Sequence, residues 1–241
     1  YEEGIDPRKD TKLHTVCIGA EPHSEEQRKR IEQLLGVKAY NCFGMSEMNG
    51  PGVAFECTEQ NGLHIWEDNV IVEIVDPVTL QPVPEGEVGE LVLTTINREA
   101  MPLLRYRTRD LTCILPGDCP CGRTHKRLAR FKGRSDDMII LKGVNLFPIQ
   151  IEKILMQFKE LGSNYLITLE TIGNSDEMLI EVELSDLFTD DYSALQRLTK
   201  GITRQLKDEL LLTPRIKLVA KGSLPTTDGK AVRVKDHRKL C

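Results

Sequence analysis

Three hydrophobic periodicities follow one another along the chain, and their order restricts the fold more than any other feature. Leu13 to Ala20 is a near-continuous apolar run ending at Gly19-Ala20, which reads as a buried strand. Ser24 then opens a helix in a capping-box pattern with Gln27, and Ile31, Leu34 and Leu35 supply its apolar stripe up to Gly36. Val37 to Tyr40 follows as a second strand, so the first stretch is a βαβ unit, whose ligands are expected at the loops beyond the strand ends. From His64 to Leu115 the period falls to two, with Val70, Val72 and Ile74 on one face, a turn at Asp76-Pro77 and a strand from Glu90 to Thr95. That pattern predicts an antiparallel β subdomain.

Past Gly133 the pattern changes again. It predicts a short strand pair (Met138 to Leu146), a helix (Ile149 to Phe158) and strands at Tyr165 to Glu170 and Met178 to Leu184. A long helix striped by Leu195, Leu198, Ile202, Leu206 and Leu210 comes next, and Arg215 to Val219 is a last strand. This is the element order of a split βαβ, ferredoxin-like fold. The expected architecture is α/β plus an antiparallel β subdomain over 1–135, followed by an α+β ferredoxin-like domain over 136–241.

Charge narrows the function. The 32 Lys and Arg are outnumbered by 37 Asp and Glu, a net charge of −5, so no general basic field exists to hold nucleic acid or anionic lipid. Small-molecule chemistry fits better. Seven cysteines, at 17, 42, 57, 113, 119, 121 and 241, form an odd set without the dense spacing of a secreted disulfide framework. With no signal-peptide pattern and no apolar run long enough to span a bilayer, a cytoplasmic protein without a membrane partner is expected.

Four polar segments carry candidate chemistry. After Tyr40 comes Asn41-Cys42-Phe43-Gly44-Met45-Ser46-Glu47: an aromatic face for a planar base, close backbone approach at a glycine, a hydroxyl, and a carboxylate able to hold Mg²⁺. Asp110, in Arg105-Tyr106-Arg107-Thr108-Arg109-Asp110, can accept both hydroxyls of a ribose. Gly133-Arg134-Ser135-Asp136-Asp137 precedes the Met138 strand, and Pro225-Thr226-Thr227-Asp228-Gly229-Lys230 places a lysine where it can meet a phosphate as a point charge.

In this order and spacing the four segments resemble the adenylate-forming superfamily, most closely its phenylacetate-CoA ligase branch, and the resemblance covers essentially the whole chain. It implies that Phe43, Gly44, Met45, Ser46 and Glu47, with Tyr40 before them, bind AMP and the metal, and that Gly19, Ala20, Glu21 and Pro22 pack beside the adenine and the acyl pocket. Asp110 falls on the ribose-binding position and Arg134 on a nucleotide-contacting arginine. Asp136 falls on the hinge about which the small domain turns between half-reactions. Lys142, Gly143 and Val144 match the loop that faces the site in thioester formation, and Lys230 the lysine of the adenylation step. The implied reaction activates phenylacetate or a related aryl acid with ATP and Mg²⁺, passes the acyl group to CoA and leaves AMP and pyrophosphate. A homodimer is usual for such enzymes. Rival readings are an adenylyltransferase of the same branch with another acceptor and a non-catalytic ligand-binding ferredoxin-like module. Two departures stand out. Thr108-Arg109-Asp110 replaces the Thr-Gly-Asp of most of the superfamily, as is typical of this branch. The Gly-rich phosphate loop of the family does not occur in these residues, so the chain reads as the C-terminal part of a ligase, inactive alone.

The remaining cysteines suggest a metal. Cys57, His64, Cys119 and Cys121, in two polar stretches, have the softness and number of a structural Zn²⁺ site, with His125 a competing ligand. Cys17, Cys42, Cys113 and Trp66 are expected in the core, and His23 on an exposed loop.

Overall fold

A computed structural model of the chain describes residues 3–48, 50–185, 192–225 and 231–238. Two compact units emerge: Tyr1–His23 with Arg28–Asp136, and Ser24–Gln27 with Asp137–Cys241.

The first unit begins with a single helical turn, α1 (Pro7–Asp10), then β1 (Thr15–Ile18), α2 (Glu25–Leu35) and β2 (Lys38–Met45). Ser24 caps α2, its hydroxyl accepting the Gln27 N–H at 3.2 Å, and Gly36 ends the helix in the left-handed region at φ +68°. β1 and β2 are parallel, completing the expected βαβ. The sheet continues through β3 (Gly50–Glu56) and β4 (Leu63–Ile65), and in sequence order there follow β5 (Val70–Val75), β6 (Gly89–Thr95), β7 (Tyr106–Thr112), β8 (Ile114–Leu115), β9 (Arg127–Leu128) and β10 (Gly133–Arg134). One six-stranded sheet has the order β1-β2-β3-β4-β9-β8 and a four-stranded sheet the order β10-β7-β6-β5. Val53, Leu63, Ile65, Leu91, Leu93 and Leu128 fill the core that they share.

Several expectations are corrected. β1 is not a buried strand: it is the edge of its sheet, with Cys17 exposed. Cys42 is half-buried, and of the three cysteines expected in the core only Cys113 is buried. The segment after Tyr40 is not a loop. β2 runs on through Phe43-Gly44-Met45 before a 3-10 turn at Ser46–Met48, because β3 folds back on it with Cys42 opposite Phe55. Trp66 is 43 % exposed, since β4 ends one residue before it.

β7 carries the feature that aims the polar residues. Glu90 on β6 faces Leu111 and Val92 faces Arg107, so Thr108, Arg109 and Asp110 bulge opposite Leu91 alone. The bulge leaves backbone groups without ladder partners, and the buried Thr108 hydroxyl satisfies two of them. It donates to the Leu91 carbonyl and accepts the Asp110 N–H, both at 3.0 Å. Arg109 takes the left-handed conformation at φ +70°. Beneath it Glu90, with no exposed surface, receives Arg107 at 2.9 and 2.6 Å and has Arg109 at 3.9 Å.

The second unit contains the hairpin β11 (Ile139–Leu141) and β12 (Val144–Leu146), α3 (Pro148–Leu155), β13 (Leu161–Ile172), β14 (Ser175–Leu184), α4 (Tyr192–Leu210), β15 (Arg215–Val219) and β16 (Val234–Asp236). Leu198, Ile202 and Leu206 are the buried stripe of α4 and pack with Ile151, Leu155, Ile167 and Ile180. The element order follows the sequence pattern, but the sheet order, β15-β14-β13-β16, departs from a split βαβ arrangement. A ferredoxin-like sheet inserts its first strand between β14 and β15. Here β14 pairs directly with β15, and β11 pairs with β12 because the Lys142-Gly143 turn, at φ +52° and +81°, folds that strand pair onto itself. β16 supplies the other edge, parallel to β13. Among the described residues no helix is long and apolar enough to cross a membrane.

Thr108→Val keeps the shape of the side chain and removes both bulge hydrogen bonds. Urea unfolding should register a loss of about 1–3 kcal/mol; a loss below about 0.5 kcal/mol would mean that the hydroxyl does not hold the bulge.

Candidate nucleotide site and cysteine–histidine cluster

The first unit gathers most of the polar residues singled out above around the β7 bulge. Asp110 and Arg134 are direct register partners on β7 and β10, so strand pairing alone puts a carboxylate beside a guanidinium. Arg134 Nη1 lies 3.8 Å from Asp110 Oδ1 and donates to the Thr108 carbonyl at 3.2 Å. Its Nε and Nη2 each donate to Asp136 at 2.9 Å, and this guanidinium holds the Asp136 carboxyl below the usual carboxylate range. The Ser135 N–H donates to the Arg109 carbonyl at 2.7 Å, tying the strand after Arg134 to the bulge.

Glu47 reaches this group from the 3-10 turn after β2. Tyr106 donates to its carboxylate at 3.4 Å, and Arg98 donates to its backbone carbonyl. Burial, and after it the Glu47 carboxylate, pushes the Tyr106 phenol up. Glu47 and Ser46 are exposed. Phe43 stacks at 4.4 Å between ring centroids on Phe131, a residue outside the expected set. Gly44 is required sterically: a Cβ would collide with the Gly50 carbonyl and the Pro51 backbone, so the β2–β3 hairpin closes this tightly only at a glycine. The Gly19-Ala20-Glu21-Pro22 segment comes alongside β2, since a Cβ on Gly19 would stand 2.5 Å from the Cys42 carbonyl oxygen, and Ala20 turns at φ +67°. Tyr40 is half-buried on β2 and Met45 ends that strand. His23 is partly buried, not exposed, and Arg130 donates to its carbonyl at 3.1 Å.

In the second unit Lys142 and Gly143 form the β11–β12 turn, Val144 opens β12, and Lys142 pairs with Glu177 at 3.6 Å. Lys230 lies outside the described residues. Sequence reasoning missed Thr108 and Tyr106. Both sit in the quoted run, and only the bulge, invisible to a period-two pattern, gives them their place.

At the other end of the six-stranded sheet, the ligand atoms of Cys57, His64, Cys119 and Cys121 all lie within 4.8 Å of one another. Cys57 follows β3, His64 is on β4 opposite Phe55, and the loop between β8 and β9 brings the two other cysteines because β9 pairs with β4. That adjacency resolves the long sequence separation. The buried Arg127 fixes the loops by donating to the carbonyls of Asn61 at 2.9 Å, Gly117 at 3.0 Å and Asp118 at 3.3 Å. Cys57 Sγ stands 3.7 Å from Cys119 Sγ, and Cys121 Sγ stands 3.4 Å from His64 Nε2. A tetrahedral ion bonded to sulfur at about 2.3 Å sets its ligand atoms about 3.8 Å apart. The donor set and spacing therefore fit Zn²⁺, and 3.7 Å is far outside a disulfide bond. His125 is not among the four; it and Arg123, with Phe55 and Trp66, line a cavity of about 100 Å³ beside them. Burial pushes the Cys57 thiol up to about 11, the Arg123 N–H draws Cys121 down to about 7, and burial lowers His64.

Comparison with known proteins bears on both units. The AMP-binding enzyme family matches residues 4–97 and the AMP-binding enzyme C-terminal domain matches residues 143–238. The phenylacetate-coenzyme A ligase of Thermus thermophilus is 42 % identical over 99 % of this chain and 57 % of its own length. That of Pseudomonas putida is 44 % identical over 98 % of this chain and 53 % of its own. The chain thus spans about half the length of the curated relatives it matches. A crystal structure of 2-hydroxyisobutyryl-CoA ligase in the postadenylation state, in complex with R3-HIB-AMP, superposes with a TM-score of 0.90 at 31 % identity, over 98 % of this chain and 50 % of that one. The chain belongs to the adenylate-forming family of AMP-binding enzymes.

Proposed function

We propose that this chain serves an ATP-dependent acid–thiol ligase that activates phenylacetate or a related aryl acid as its acyl-adenylate and transfers it to CoA. The observation that carries the reading is the Asp110–Arg134–Asp136 group at the β7 bulge with Glu47 beside it, in a chain more than 40 % identical to phenylacetate-CoA ligases. Asp110 accepts the ribose hydroxyls and Arg134 donates to the nucleotide. Phe43 and the Gly19–Pro22 segment flank the base, with Tyr40 and Met45 behind it and Gly44 allowing close approach. Ser46 donates to phosphate.

Attack of a carboxylate on the α-phosphorus of ATP forms a C–O–P link and breaks the bond to pyrophosphate, which leaves with the electron pair. Negative charge grows on the phosphoryl oxygens, and Lys230 meets it as a cation. Glu47 is the residue that would hold Mg²⁺, which when bound adds positive charge at the same oxygens. In the second step the CoA sulfur attacks the acyl carbon and AMP leaves. Lys230 has no part in that step, and the turn at Lys142, Gly143 and Val144 takes its place after rotation at Asp136. The division of the chain at Asp136/Asp137 supports a pivot there.

The four-ligand cluster is proposed as a structural Zn²⁺ site with Cys57, His64, Cys119 and Cys121 as ligands. Four protein donors leave no position for substrate, so its contribution is to hold the β3–β4 and β8–β9 ends together.

Two experiments test these readings. In the full-length protein Lys230→Ala should lower pyrophosphate exchange by about a hundredfold or more while CoA attack on supplied acyl-adenylate changes little; equal loss in both half-reactions would refute the division of labour. Metal analysis of protein purified under reducing conditions should find about one zinc per chain, falling to near zero in Cys119→Ser; parent protein without zinc would remove the metal reading.

A further inference from the structure

The three nitrogens of the Arg134 guanidinium are divided between two jobs. Nε and Nη2 form a bidentate fork with the two oxygens of Asp136, both at 2.9 Å, while Nη1 is turned to the Thr108 carbonyl at 3.2 Å and to Asp110 at 3.8 Å. A two-point fork fixes the plane of a guanidinium as a single contact cannot. Register places the Arg134 and Asp110 backbones opposite each other but leaves the long arginine side chain its rotamers. Asp136 removes much of that freedom. It is two residues from Arg134, and its side chain is 52 % exposed, so it is under no demand from the core.

We infer that the Asp136 carboxylate is a positioning residue for nucleotide binding: it locks Arg134 with Nη1 directed at Asp110, so that ribose meets a carboxylate and a guanidinium already oriented. The inference rests on the nucleotide reading above and is distinct from the pivot role given there to the same residue. A pivot works through φ and ψ, whereas the lock needs two carboxylate oxygens. Asn has nearly the same size and backbone preferences as Asp, but its amide offers one acceptor oxygen and turns an N–H₂ toward the arginine. Asp136→Asn therefore keeps the pivot and breaks the fork.

Equilibrium AMP binding, measured by calorimetry on the full-length protein, separates the roles, because it involves no half-reaction. Asp136→Asn should weaken AMP binding about fivefold, a magnitude suited to a charge-assisted pair that is half exposed. In an Arg134→Lys background, where no fork can form, the same substitution should change AMP affinity by less than about twofold. Unchanged AMP affinity in Asp136→Asn overturns the inference, and so does an equal loss in both backgrounds, which would mean that Asp136 does not act through Arg134. Failure of the parent protein to bind AMP would instead overturn the nucleotide reading, and this inference with it.

Discussion

The three-residue bulge in β7 is the constraint on which the polar site depends. A regular β7 would alternate its side chains between the two faces of the sheet, and Thr108 and Asp110 would follow the pleat. Setting Thr108, Arg109 and Asp110 against Leu91 alone changes that alternation, and the Thr108 hydroxyl makes the change affordable in a buried place. The short pairing of β10 with β7 then has a fixed register in which Arg134 meets Asp110. Below, the charge of the wholly buried Glu90 is met by Arg107, which precedes the bulge, and by Arg109 within it. Cross-strand register and one hydroxyl thus do the positioning that a loop would do less tightly.

What could be read in the sequence divides along the same line. Elements with a sustained period were legible: the Ser24 cap of α2, the stripe of α4 and the alternation of β5 follow from local side chains, whereas the stripe expected on α2 from Ile31, Leu34 and Leu35 is not buried, Leu34 being 49 % exposed. Pairing between strands was not. Nothing local says that the strand after Tyr40 runs on through Gly44, since that depends on β3 returning over it. Nor does element order disclose that β11 and β12 close on each other and leave β14 to pair with β15. Cys17 and Trp66 were misplaced for a related reason. Apolar residue type says that burial is favourable, while an edge strand or a strand end decides whether a neighbour is there to bury against.

The cysteine–histidine cluster was legible by chemistry rather than by spacing. Cys57 and His64 are far in sequence from Cys119 and Cys121, yet β4 and β9 are neighbours, so the gap is bridged by one strand pairing. Soft donors in polar loops were the signal. What no composition argument could supply is Arg127, whose guanidinium collects three loop carbonyls and holds the ligand-bearing turns in place.

Arg109 carries a consequence for which positions tolerate substitution. A left-handed backbone is cheap for glycine and costs a residue with a Cβ roughly 1–2 kcal/mol, and glycine is what most of the superfamily places there. Here the longer side chain stands 3.9 Å from Glu90, an acid already satisfied by Arg107. With Glu90 and Arg107 already paired, arginine at 109 adds a second, looser cation over the acid. Once both arginines stand over the acid, replacement of Glu90 leaves two cations facing an emptied core position. Glu90 is thereby the member of the three whose loss strands the others, whereas Arg109, 46 % exposed and 3.9 Å from the acid, is the one most easily exchanged.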